Sequence, residues 1–402
     1  MALARADGWR TPLIVFLAAC ALLFASFGVR ATFGLYLQPV SGDLGWGREI
    51  FALAIAIQNI VVGLAQPFTS AIADRWGTGR TVIAGGLCYA AGLALMAHAS
   101  TPMHAYLGLG VLSGLGLSGT SFAIAFGAVG RVVSNERRAL ALGMAGSIGS
   151  IGQFAMVPMG QAFISAYGWS TVLLILSVVV LITIPLAGVL KGKPAEVGAA
   201  QSLGEALREA SGHGGYRLLI CGFFVCGFHV AYIGTHLPAY VVDKGLPPHI
   251  GAWALGLVGL FNIIGSALAG VLGGRISKRY LLSSLYFSRA LLFSAFLVTP
   301  ITEASVLLFG AIMGLIWLST VPLTSALVAQ IFGPRYMATL FGIVFLSHQI
   351  GAFLGAWLGG YVYDLTGSYT IVWWIAVALG LVSAALHLPI NERPLPRVAA
   401  AE

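Results

Sequence analysis

Ser26-Phe-Gly-Val-Arg30-Ala-Thr-Phe-Gly-Leu-Tyr-Leu37 lies inside an apolar run, from about Pro12 to Gln38, that holds no other charge. A run of that length can cross a bilayer as a helix. The guanidinium stays protonated at any physiological pH, and holding it at membrane depth costs about 3 kcal/mol on insertion scales. A charge kept at that cost faces water, a counter-charge or a ligand. Arg30 is therefore the first candidate for a ligand contact.

Outward from this run, the same composition continues along all 402 residues, which are 58% hydrophobic and 8% charged. A soluble domain is nearer a quarter charged. Twelve spans can be drawn, at about 12–38, 49–72, 80–99, 103–130, 138–166, 169–190, 216–242, 250–274, 280–300, 303–331, 337–362 and 369–390. Such long runs predict an all-α, polytopic membrane protein and exclude a barrel of short alternating strands. The 53 glycines suit closely packed transmembrane helices. Cys20, Cys88, Cys221 and Cys226 fall within spans without zinc or disulfide-framework spacing, and read as small core residues.

The net charge of +8 does not point to nucleic acid, because its placement follows the membrane. Of the 21 Lys and Arg residues, Arg48 and Lys244 fall on one side, Arg30 and Arg289 lie inside spans, and all the others share the side of the termini. The positive-inside rule then predicts a multi-pass protein of the cell membrane with both termini cytoplasmic. The polar stretch 191–215 reads as a cytoplasmic linker, with Ser202-Leu-Gly-Glu205 spaced as a capping box that starts a short helix.

The chain also repeats itself. Gly110-Val-Leu-Ser-Gly-Leu115 matches Gly310-Ala-Ile-Met-Gly-Leu315, and Ile151-Gly-Gln-Phe154 matches Ile350-Gly-Ala-Phe353. Gly168 falls on Gly367, and Ala73-Asp-Arg75 meets Gly273-Gly-Arg275. The matches agree in order and in an offset of about 200, so 1–190 and 216–402 are expected to be two six-helix halves in parallel orientation. That resembles the major facilitator transporters, which bind substrate between halves near the midplane.

Ser70-Ala-Ile-Ala-Asp74-Arg75-Trp-Gly77-Thr-Gly79-Arg80 resembles the major facilitator signature G-x-x-x-D-R-x-G-x-R, with Ser70 at the first Gly. The resemblance implies a gating role for Asp74, Arg75, Gly77 and Arg80, the glycines permitting a tight turn and the charges forming an ion-pair latch. Asp7-Gly-Trp9 and Arg137-Arg-Ala-Leu-Ala-Leu-Gly-Met-Ala-Gly146 resemble motifs of the monocarboxylate porters and related oxalate/formate antiporters. That branch carries a functional lysine in its first span, where Arg30 falls. It also carries an Asp and, four residues on, a substrate-binding Arg in the eighth span, where this chain has Leu260-Phe-Asn262-Ile-Ile-Gly-Ser266. Arg30 is then expected to hold an anionic group alone or with Arg289.

His229 and His236 are two helical turns apart and share a face with Tyr232 and Tyr240 on the seventh span, which lines the cavity in the resembled family. They read as a hydrogen-bonding, titrating stripe, or as neutral rings satisfied between helices. Asn59, Asn262, Ser121 and Trp317 complete the candidate pocket, while Gln58, Ser118, Thr120, Gln153, Ser319, Thr320, His348 and Gln349 are further interior polar groups. The glycine rows 143-146-149-152 and 351-355-359 are expected to be sliding or packing faces for rocking halves.

Every carboxylate lies in a loop, a tail or at a span edge, so a coupling proton would ride on His229 or His236. Together these features predict a secondary transporter of a small organic anion, a monocarboxylate or similar, working by alternating access. Proton coupling and anion exchange both stay open, and the runner-up is an exporter of a drug-like or toxic compound. The expected partners are the anion, H+ and the lipid bilayer. No cofactor, metal site, nucleic-acid partner or catalytic set is expected.

Overall fold

A computed structural model describes residues 11–192, 203–333 and 337–396. Among them twelve helices are long and apolar enough to cross a membrane. They are α1 (Pro12–Leu44), α2 (Arg48–Trp76), α3 (Thr78–Ala97), α4 (Pro102–Gly130), α5 (Leu140–Tyr167) and α6 (Trp169–Leu190) in the first half of the chain. The second half has α7 (Gly214–Asp243), α8 (Pro248–Gly273), α9 (Lys278–Val298), α10 (Glu303–Phe332), α11 (Thr339–Thr366) and α12 (Thr370–His387). The predicted linker helix is present at Leu203–Gly212. Its proposed cap, Ser202, and the Asp7-Gly-Trp9 motif lie outside the described residues.

The surface is inverted relative to a soluble protein. Leu17, Leu87, Ile182, Leu291 and Val382 are exposed, whereas Gln58, Asn59, His229 and Arg289 are buried. Hydrocarbon is as good a solvent for leucine as a protein core, so the large apolar groups face outward and the polar ones find partners within the bundle.

The offset seen in the sequence reappears in the packing. A Cβ at Gly152 would overlap the carbonyl of Phe24, and one at Gly351 would overlap that of Phe224. Gly110 packs on the Ala54 carbonyl and Gly310 on that of Ala254. Ser26 pairs with Thr120 at 2.8 Å, and Cys226 with Thr320 at 3.2 Å. Gly45 and Gly245 end α1 and α7 with φ of 66° and 82°. The same contacts are thus made twice by residues about 200 apart, which is how two parallel six-helix repeats arise from one sequence pattern. At the crossing of α1 and α7, Gly34 meets the backbone of Gly234, so the repeats touch at equivalent residues.

Those contacts also correct the reading of the glycine rows. Gly149 and Gly152 seat α5 against Phe27 and Phe24 of α1, and Gly351 and Gly355 seat α11 against Phe224 and Phe228 of α7. They are packing faces inside each half, not sliding faces between halves. The halves meet instead through Gly63 and Gly360 between α2 and α11, and through Gly256 and Gly259 between α5 and α8.

Candidate functional site

Arg30 is partly exposed on α1, and its Nη2 donates to Asn59 Oδ1 of α2 at 2.7 Å. Asn59 is held by its own Nδ2, which donates to the Ile55 carbonyl one turn earlier at 2.8 Å. Its backbone carbonyl accepts from Gln349 Nε2 of α11 at 2.9 Å, and Gln349 Oε1 lies 2.9 Å from His348 Nδ1. Gly63, one turn beyond Asn59, leaves room for the Gln349 side chain against α2. Arg30 is therefore joined through a neutral amide to the opposite half. No carboxylate reaches it among the described residues, and the rest of its guanidinium fork makes no further hydrogen bond there.

On the same half, Ser26, one turn before Arg30, pairs with Thr120 at the break in α4. Ser121, next along, accepts from Gln66 Nε2 at 3.0 Å and keeps a sliver of surface. Arg30 and Asn59 thus touch, while Ser121 meets α2 at Gln66, two turns further along.

The remaining candidates gather elsewhere. Arg289 of α9 is wholly buried and donates Nε and Nη2 to the Ile316 carbonyl at 3.1 and 2.6 Å, and Nη2 also to that of Trp317. Those carbonyls are exposed by the break in α10, whose first segment ends at Leu315 and whose second begins at Thr320. A helix C-terminus carries partial negative charge, so a guanidinium is a fitting cap. Asn262 caps the other side of the break: its Oδ1 accepts from Leu318 N at 3.0 Å, while its Nδ2 donates to Ser150 across the half interface. Trp317, Asn262 and Arg289 together hold a broken helix, and the structure does not bring Arg289 to Arg30.

Neither His229 nor His236 bonds to Arg30, and His236 reaches the opposite half only through the Tyr369 hydroxyl, which accepts from Arg48 of α2 at 2.9 Å. His229 Nε2 lies 2.9 Å from the Ala376 carbonyl of α12, with the ring edge-on to Phe293. His236 Nε2 lies 2.7 Å from the Ala356 carbonyl of α11, in the space left by Gly359, and its Nδ1 is 3.3 Å from the Tyr369 hydroxyl. Tyr232 packs between them against Trp373. These rings satisfy backbone carbonyls between helices, the second of the two alternatives the spacing left open. A carbonyl needs a donor, so each Nε2 carries its hydrogen, and His229 Nδ1 is enclosed without a partner among the described residues.

The sequence reading missed a polar lock at the end of the bundle away from the linker. Arg48 of α2 holds Asp243 of α7 with both terminal nitrogens, at 2.6 and 2.8 Å, and its guanidinium lies 3.7 Å from the centre of the Tyr363 ring. Gln38 also donates to Asp243, at 3.0 Å. Asp364 of α11 caps the start of α2, accepting from Arg48 N and Glu49 N at 2.9 and 2.8 Å. Every one of these contacts joins the two halves. The signal was present, since Arg48 is one of only two basic residues on that side, but nothing in a single sequence pairs residues almost 200 apart.

At the linker end the signature loop is unlatched. Asp74, Arg75 and Arg80 are exposed, and none of the three is in an ion pair among the described residues. Gly77 makes the expected turn at φ 97°, a conformation strained for any residue with a Cβ. Gly79 serves packing instead, lying against the Ala187 carbonyl at the end of α6. Cβ atoms at Gly143, Gly270 and Gly342, toward the same end, would meet nothing within 4 Å. The described cavities lie at the locked end, the larger of about 460 Å³ lined by Gln38, Trp46, Arg48 and Asp364, and do not contain Arg30.

The Major Facilitator Superfamily model matches residues 15–356. Monocarboxylate transporter 13 of Rattus norvegicus is 25% identical over 401 residues, covering 95% of this chain and 89% of its own length. Monocarboxylate transporter 11 of Homo sapiens is 27% identical over 419 residues, with 97% and 84% covered. The uncharacterized MFS-type transporter YcxA of Bacillus subtilis (strain 168) is 25% identical over 380 residues, with 89% and 90% covered. Among solved structures, a variant of the nucleoside transporter NupG aligns with a TM-score of 0.76 at 15% identity, covering 94% of this chain and 99% of that one. The D-xylose-proton symporter aligns at 0.73 and 12%, covering 97% and 100%. The twelve spans, the doubled packing and these similarities agree: the chain belongs to the Major Facilitator Superfamily, as a multi-pass membrane transporter and not an enzyme.

Proposed function

We propose that this transporter carries a small organic anion, a monocarboxylate or a close analogue, and that Arg30 holds its charged group. The observation that carries the reading is the contrast between the two intramembrane arginines. Arg289 is wholly buried and gives Nε and Nη2 to the carbonyls of a broken helix, with Nη1 enclosed where no partner reaches it among the described residues. Arg30 is partly exposed and gives one N–H to the amide of Asn59, leaving part of its fork for a carboxylate. An arginine fork pairs with a carboxylate bidentately, which a lysine cannot do. The similarity to monocarboxylate transporters supports the same substrate class.

The anion would reach Arg30 from the linker side, which the positive-inside asymmetry assigns to the cytoplasm, and leave after the Arg48–Asp243 lock opens and Asp74, Arg75 and Arg80 engage. The test is equilibrium binding of pyruvate, lactate and benzoate to purified protein. Wild type should bind at least one of them, Arg30→Gln none, and Arg30→Lys more weakly than wild type. Equal affinity in wild type and Arg30→Gln would refute the anion site. Binding of neutral amphipathic compounds but no carboxylate would favour the exporter reading.

A further inference from the structure

We propose that His348 is the group that binds the coupling proton, linked to the anion at Arg30 through Gln349 and Asn59. This rests on the anion reading of Arg30 and extends it to the coupling ion.

His348 is the histidine whose hydrogen bonds lead to the site. Gln349 Nε2 donates to the Asn59 carbonyl, which fixes the amide and leaves Oε1 facing His348 Nδ1 at 2.9 Å. Oε1 accepts, so Nδ1 carries the hydrogen of the neutral ring and Nε2 holds the ring's lone pair, with the Cys226 thiol hydrogen-bonded to the ring. His348 is 7% exposed, against 0% for His229 and 1% for His236, so it is the least enclosed of the three. Its ring stacks on Phe345 at 5.5 Å and tilts against Phe223 at 5.1 Å, which sets its orientation.

The groups around it are few. From α7 the Cys226 thiol lies beside the ring, and behind it Arg289 and Tyr286 of α9 sit close to that thiol. From α1 and α2, Arg30 stands at the far end of the chain of bonds through Asn59. No carboxylate faces His348 from α1, α2, α7, α9 or α10 among the described residues, because each acid on those spans lies at a span end. A proton on His348 therefore adds to a cationic environment and is held best when an anion is bound at Arg30. In the same way, protonation raises the affinity for the anion. This reciprocity is the condition for symport.

The step balances. Hydronium gives its proton to Nε2, an N–H bond forms, and water leaves. With anion and proton both bound the carrier has the charge it has when empty, so loaded and empty forms reorient against the same potential. Without the proton, each monoanion moves one charge, about 2.3 kcal/mol per 100 mV.

The experiment uses the full-length protein in proteoliposomes in weak buffer, with an external pH dye and pyruvate, lactate and benzoate as probes. Wild type should alkalinise the medium on anion addition, and its net uptake should rise as external pH falls from 8 to 6, by up to about tenfold per unit, the limit for one proton. His348→Gln should lose both the alkalinisation and the pH slope while still exchanging internal for external anion. Gln349→Leu keeps the imidazole and cuts the link, so its anion Kd should be the same at pH 6 and 8, whereas that of wild type differs. This second variant keeps the test open if His348→Gln does not fold. Proton movement surviving in His348→Gln, or a pH-dependent Kd in Gln349→Leu, overturns the inference and leaves the anion site standing. A wild type that moves none of the probes overturns the anion reading itself.

Discussion

Two arginines at membrane depth each carry a desolvation cost and meet it differently. Arg289 is a cap: two carbonyls of the α10 break depend on it, and its guanidinium lies 5.3 Å from the Tyr286 ring. Arg289→Met should therefore cost on the order of 2–4 kcal/mol of stability, the loss of charge-assisted bonds to buried carbonyls. Below its melting temperature it should bind pyruvate with wild-type affinity, and a matched thermal-unfolding and binding pair of measurements separates the two effects. His229 and His236 belong with Arg289. Replacing both by Gln should lower thermal stability and leave the pH profile of net uptake as in wild type. A flattened profile would return the proton to these rings. The charge and depth of Arg30 were legible in the sequence because one cation in an apolar run stands out. Which face a histidine takes was not, since seven-residue spacing fixes a shared face but not the helix it meets.

At the scale of the element, helix ends and breaks are set by local chemistry. His213 caps α7, its Nδ1 accepting from Tyr216 N at 3.2 Å, and this needs a neutral ring. Burial pushes the His213 imidazole below its ordinary value, more than the opposing charge of Glu209 raises it. Its folded-state value is thus depressed, so its contribution is present above the unfolded value of about 6.5 and fades as pH falls below that. His213→Asn, a cap that does not titrate in this range, should remove that part of the stability loss. Comparing melting curves of the two proteins at pH 7.5 and 5.5 checks it, and equal pH sensitivity would contradict the cap. Most of this level was readable beforehand. Spans, turns at Gly77 and the linker helix follow from apolar runs and glycine. The breaks in α4 and α10 were not, because Gly, Ser and Thr there read equally well as close-packed helix, and only Arg289 and Asn262 in place show why the chain opens.

For the whole molecule, the repeat offset made the architecture legible, since twelve spans and matched glycines imply two like halves. The state in which the halves meet was not, because it depends on pairs from opposite halves. Arg48–Asp243 locks the end away from the linker. Arg48→Ala should shift the population toward a form open at that end, raising thiol labelling of a cysteine at Ser41 at least severalfold while reducing net transport. Unchanged labelling would show that the lock does not hold the gate. The central claim is that one carboxylate binds at Arg30 and is carried from side to side. It is tested most directly by counterflow of labelled pyruvate, lactate and benzoate in proteoliposomes. Wild type loaded with unlabelled anion should take up at least one label transiently and saturably, and Arg30→Gln, equally inserted, should take up none above empty liposomes. Counterflow in Arg30→Gln equal to wild type would contradict the account.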